Sequence, residues 1–192
     1  MNVFITTTNG ALDFDGAPSY LDVLHLKTGL TFYCFCGTIG TVRKGVHKVN
    51  KQINFDMDGT LADLYGVEGW LSDLIEERTR PYVIARPLLN LSALARLLNR
   101  LQREGWELQV ISWVSKSGSA EYHELIRVAK LNWLARHLPS VKWNAVIITA
   151  YGEAKEEHGA GILFDDNEDV REAWGEGAYD VDDILGVLKG LK

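Results

Sequence analysis

The sequence predicts a fold of the α/β class, built on a mostly parallel sheet and preceded by a β-rich segment. Two observations predict it. From about residue 53 onward, apolar runs of strand length alternate with longer segments at helical period. The first 50 residues differ: turn-forming stretches such as Thr6-Thr7-Thr8-Asn9-Gly10, Asp15-Gly16-Ala17-Pro18 and Lys27-Thr28-Gly29 punctuate short β-prone runs, the pattern of hairpins. Residues 1–50 are therefore read as an N-terminal β-rich extension, and residues 51–192 as the main domain.

Within the main domain, Ile53 to Phe55 reads as the first strand and runs into the acidic turn Asp56-Met57-Asp58-Gly59-Thr60. The segment at about 61–87, with Trp70, Leu71, Leu74 and Ile75, exceeds what a strand-helix-strand unit needs and reads as a small helical cap. Leu91, Leu94, Ala95, Leu98 and Leu101 form a stripe at helical spacing, stopped by Glu104-Gly105. Leu108 to Ile111 is the next strand, closed by Ser112. A helix follows from about Ala120 to His137, patterned through Leu125, Ala129, Trp133 and Leu134 and ended by Pro139. Ala145 to Ile148 reads as a third strand, and Gly161 to Phe164 as a fourth that delivers Asp165-Asp166. The tail adds a helix around Glu168 to Trp174, a strand near Tyr179 and a last helix from about Asp182 to Leu191.

Composition narrows the function. The chain has 192 residues, 46% of them hydrophobic, enough for a substantial core. A formal net charge of -6 argues against tight non-specific binding to nucleic acid. No apolar run approaches the roughly 20 residues that span a bilayer, and the N-terminus lacks a signal-peptide pattern, so the expectation is a cytoplasmic protein. Cys34 and Cys36 are too few for a disulfide framework and read as reduced, packed thiols. The five histidines are scattered without ligand spacing. No Gly-x-Gly-x-x-Gly, Walker-type loop or Gly-x-Ser-x-Gly occurs, which removes support for dinucleotide redox chemistry, ATP-driven kinase chemistry and serine hydrolysis.

In an open parallel sheet, ligands bind outside the carboxyl ends of the strands. Those ends offer Asp56 and Asp58, Ser112, and Asp165 with Asp166. Carboxylates gathered there repel one another unless a cation sits among them. Oxygen-only ligation without a His or Cys cluster fits Mg2+.

Asp56-Met57-Asp58-Gly59-Thr60 resembles the first motif of the haloacid dehalogenase superfamily of phosphatases, a hydrophobic strand followed by Asp-x-Asp-Gly-Thr. Ser112 resembles its second motif, Lys155 its third, and Asp165-Asp166 after Ile162-Leu163-Phe164 its fourth. The resemblance spans roughly Ile53 to Lys192 and implies a Rossmann-like three-layer sandwich and Mg2+-dependent phosphomonoester hydrolysis. It implies Asp56 as nucleophile, forming an aspartyl-phosphate, and Asp58 as acid and then base. Thr60, Ser112 and Lys155 would hold the transferring oxygens, and Gly59 would let the backbone turn beside the phosphate. The implied metal ligands are Asp56, the Asp58 carbonyl, and Asp165 or Asp166. Lys116, close after Ser112, competes with Lys155 for the phosphate, with Lys155 preferred because it comes from a separate loop.

The run from Asp56 to Asp63 resembles that of 5'-nucleotidases, including the 5'(3')-deoxyribonucleotidase group, so a small phosphorylated substrate such as a nucleotide is the implied partner. Gly59, Asp63, Trp70, Trp113 and Lys116 are candidate substrate contacts, the two tryptophans as stacking surfaces for a base. Two alternatives stand beside this: a phosphatase of polynucleotide ends, and a regulatory module that binds Mg2+ and phosphate without turnover. Oligomeric state is left open.

Overall fold

The computed structural model describes residues 51–192; the predicted N-terminal hairpins and both cysteines lie outside the described residues. Five strands form one parallel sheet: β1 (Gln52–Phe55), β4 (Glu107–Trp113), β5 (Ala145–Thr149), β6 (Ile162–Phe164) and β7 (Ala178–Tyr179). Its order is β5-β4-β1-β6-β7. β1 is central, with Ile53 opposite Leu108 on one side and Ile162 on the other. β6 is a continuous apolar run, Ile162-Leu163-Phe164, as expected of a strand covered on both faces, whereas β1 carries a fully buried polar residue, Asn54, whose amide donates to the Ala160 and Ile162 carbonyls. This is the α/β class the sequence predicts.

Four helices flank the sheet: α3 (Leu91–Arg103), α4 (Ala120–His137), α5 (Glu168–Trp174) and α6 (Ile184–Gly190). Each of the first three starts at a side chain that accepts an otherwise orphaned N–H: Asn90 from Ala93, Ser119 from Tyr122, Asn167 from Asp169. The core joins Ile53, Phe55, Leu108, Val110 and Phe164 of the sheet to Leu94, Leu98 and Leu101 of α3 and Ile184 and Leu188 of α6. No helix among the described residues is long and apolar enough to cross a membrane.

Two strand ends run one residue further than the sequence indicated, Trp113 in β4 and Thr149 in β5. One expectation fails. Leu125, placed on the buried stripe of α4, is 56% exposed, as are Val128 and Leu131 to similar degree. The inward face of α4 is instead Tyr122, Ile126, Ala129, Lys130, Trp133 and Leu134. Apolar residues lie on both sides of this helix, so their spacing alone does not say which side is buried.

The segment after the Asp56 turn leaves and returns through a two-stranded antiparallel neck, β2 (Ala62–Asp63) against β3 (Arg86–Pro87). Between them lie α1 (Trp70–Ile75) and α2 (Arg80–Ile84). This cap is fastened along α4. The Glu77 carboxylate accepts from the N–H and the hydroxyl of Ser119 at 2.7 and 2.6 Å, from a left-handed backbone of φ 54°. The Tyr122 hydroxyl donates to the Arg78 carbonyl, and the Trp133 indole to the Ala85 carbonyl at 2.8 Å.

Candidate active site

The end of β1 places Asp56 in the sheet's centre, 5% exposed, its N–H donating to the Phe164 carbonyl. The chain then folds back tightly: the Met57 carbonyl accepts from Leu61 and Ala62, while Gly59 donates to Ala62. Gly59 has φ +80°, a left-handed conformation that favours glycine. β6 ends beside β1 and supplies Asp165 and Asp166; the turn after β5 supplies Lys155.

Six charged groups meet here. Lys155 Nζ, 2% exposed, donates to Asp56 Oδ1 at 2.6 Å and to Asp165 Oδ2 at 2.7 Å. Lys130 Nζ, fully buried on α4, donates to Asp58 Oδ2 at 2.7 Å, to Ser112 Oγ at 2.9 Å and to the Trp113 carbonyl at 2.6 Å. Four carboxylates thus face two ammonium groups, a formal excess of two negative charges. The imbalance is visible in the acids. Burial, then the Asp56 charge, pushes Asp165 and Asp166 up to about 6. Burial also raises Asp58, against the pull of Lys130. Burial disfavours the Lys155 ammonium, but Asp56 and Asp165 outweigh it and hold its pKa above the usual lysine range.

Oxygens of Asp56, Asp165 and Asp166 lie within 4.8 Å of one another. A divalent cation there would cancel the excess charge, and an all-oxygen donor set suits a hard ion such as Mg2+. The residues therefore fit the metal the sequence pointed to. The Asp58 carboxylate is not in this trio; it turns to Lys130.

A cavity of about 420 Å³ opens over the cluster. Asp56, Asp58, Ser112, Lys155, Asp165 and Asp166 form its floor, and the cap contributes Tyr65, Trp70, Leu71, Leu74 and Tyr82. Trp113, its indole donating to the Glu153 carbonyl, and Tyr151 form another wall with ring centroids 5.1 Å apart. Trp70 meets Tyr65 edge to face at 5.1 Å.

The remaining predicted residues take different places. Lys116 also lines the cavity, exposed and 5.7 Å from the Tyr151 ring, while it is Lys155 that donates to Asp56 and Asp165. Thr60 is buried behind the floor: its hydroxyl donates to Asp166 Oδ1 at 3.3 Å and accepts from the Asp166 N–H at 3.2 Å. Asp63 sits in the neck, accepting from the Gly66 N–H, and does not line the cavity. Sequence reasoning missed Lys130 and the tyrosines Tyr65, Tyr82 and Tyr151. No local signal marked Lys130, because apolar residues lie on both sides of α4 and only folding shows that it shares the buried face with Ala129 and Trp133.

No protein-family model matches the sequence, and no curated protein matches it. Among solved structures, a D,D-heptose 1,7-bisphosphate phosphatase from B. bronchiseptica, complexed with magnesium and phosphate, overlaps the chain with a TM-score of 0.44 at 13% identity, covering 72% of this chain and 96% of that one. The corresponding phosphatase from Burkholderia thailandensis gives 0.45 at the same identity and coverage.

Proposed function

We propose that the chain is a magnesium-dependent phosphomonoester hydrolase of the haloacid dehalogenase type, acting on a nucleotide or similar small phosphorylated molecule. The observation that carries the reading is the state of Asp56. Lys155 holds one of its oxygens, while the carboxylate faces a cavity whose floor has room for a cation and a phosphoryl group.

Asp56, Asp165 and Asp166 would hold Mg2+, which would supply neutralisation of charge on the phosphoryl oxygens. Asp56 Oδ2 attacks phosphorus, the bond from phosphorus to the leaving oxygen breaks, and Asp58 delivers a proton to that oxygen. Asp58 then takes a proton from water as the water oxygen attacks phosphorus. Inorganic phosphate leaves, and the Asp56 carboxylate is restored. Lys155 uses two of its three N–H donors on carboxylates, which leaves one for a phosphoryl oxygen. Ser112 supplies a hydroxyl beside it. The Thr60 hydroxyl, spent on Asp166, supports the metal side of the site instead.

The aromatic walls support a substrate with a flat, partly apolar leaving group. Tyr65, Trp70, Trp113 and Tyr151 offer ring faces and edges in a cavity of the size that takes small molecules. Phosphate release from a panel of nucleotides and sugar phosphates, with and without Mg2+, tests the reading. Activity should need Mg2+, favour nucleotides, and fall at least about 10³-fold in Asp56→Asn. Full activity in that variant would refute the mechanism.

A further inference from the structure

Lys130 has no role in the mechanism above, yet it is the charged residue most deeply enclosed in the domain. An ammonium carries three N–H donors, and all three are used: on Asp58 Oδ2, Ser112 Oγ and the Trp113 carbonyl. The cap closes over it, with the Tyr82 ring centroid 5.4 Å away. It therefore has no donor left for a substrate phosphate, unlike Lys155.

Its effect is on its two side-chain partners. Because Lys130 donates to Ser112 Oγ, the Ser112 hydroxyl hydrogen cannot point back at the lysine; it is left to donate elsewhere, and Ser112 lines the cavity. Because Lys130 holds Asp58 Oδ2, the carboxylate is pinned with its Oδ1 free of hydrogen bonds among the described residues. Asp58 also lines the cavity.

We propose that Lys130 is a positioning residue that orients Ser112 as a hydrogen-bond donor to the phosphoryl group and Asp58 Oδ1 toward the leaving oxygen. The proposal rests on the phosphatase reading. It assigns Lys130 no contact with substrate; its influence passes through the two residues it holds.

A double-mutant cycle tests it. Inorganic phosphate binding in Mg2+ is measured by calorimetry for Ser112→Ala, Lys130→Met and the pair. Each single change should weaken binding about tenfold, and the pair no more than the worse single one, because both remove the same oriented hydroxyl. In turnover, Lys130→Met should lose at least about tenfold more on an alkyl phosphate than on p-nitrophenyl phosphate, whose leaving group departs without a proton. Losses that multiply in the pair, or equal losses on both substrates, overturn the proposal. A wild-type protein that hydrolyses neither substrate refutes the phosphatase reading, and the binding cycle alone then judges Lys130. If Lys130→Met does not fold, Asp58→Asn/Lys130→Met removes the buried charge with its partner, and the Ser112 cycle is run against Asp58→Asn with the same outcomes.

Discussion

Gly59→Ala is a sharp test of how the acidic turn serves the metal site. A β-carbon on Gly59 would lie 2.4 Å from Asp166 Oδ2, 2.6 Å from Asp166 Cγ and 2.8 Å from Tyr65 Cε2. Ordinary carbon contacts begin near 3.5 Å, so the Asp166 carboxylate must retreat by about 1 Å. That movement breaks the hydrogen bond it accepts from the Thr60 hydroxyl and withdraws it from the Asp56–Asp165–Asp166 trio. Loss of fixed geometry around a metal lowers affinity about 10- to 100-fold, and the Mg2+ requirement should rise by that factor. The left-handed backbone adds a cost of about 1–2 kcal/mol, which corresponds to a fall in Tm of about 2–8 °C for a domain of this size. Phosphate release against Mg2+ concentration, Mg2+ binding by calorimetry and a thermal melt read all three quantities. Unchanged Mg2+ dependence together with an unchanged Tm would refute the reasoning.

Three further outcomes follow from the same geometry. Trp133→Ala empties a site that is 1% exposed and strands the Ala85 carbonyl, so it should cost about 3–5 kcal/mol in urea denaturation; a loss under about 1 kcal/mol would contradict the packing described. Trp113→Ala should raise KM about tenfold for nucleotides and less for sugar phosphates, and an equal effect on both would argue against a stacking wall. Asp165 and Asp166 are pushed up to about 6, above the unfolded value of about 3.9, so between these values the folded state binds more protons than the unfolded one. The contribution of this pair to stability is therefore lost as pH rises through about 6, and Mg2+ restores it. Mg2+ should raise Tm clearly at pH 7.5 and little at pH 5, where protons compete for the same oxygens; equal shifts at both would exclude these carboxylates as ligands.

The sheet and the carboxylates were legible because their signals are local. An apolar run entering Asp56-Met57-Asp58-Gly59-Thr60 defines both a strand and what sits at its end. The caps at Asn90, Ser119 and Asn167 fix where three helices begin. Asn167 also shows that Asp165 and Asp166 are not the cap of α5. What was not legible depends on rotation or long-range meeting. With Leu125, Val128 and Leu131 on its outer side, α4 has no single apolar stripe to orient it, so Lys130 could not be placed at the site. Tyr65, Tyr82 and Tyr151 come from distant segments and share a cavity only after folding. The resemblance implied a phosphate contact for Thr60, but the tight turn aims its hydroxyl at Asp166.

α4 is a common beam. Ser119 and Tyr122 near its start and Trp133 toward its end carry the cap, while Lys130 between them reaches the chemistry. Attachment of the roof and alignment of the floor therefore share one rigid reference, and no substitution that tilts this helix can widen the roof without disturbing the reacting groups below. Attempts to engineer a new substrate range should leave α4 alone and vary Leu71, Leu74 and Ile75, which reshape the chamber from a helix that carries none of its catalytic groups.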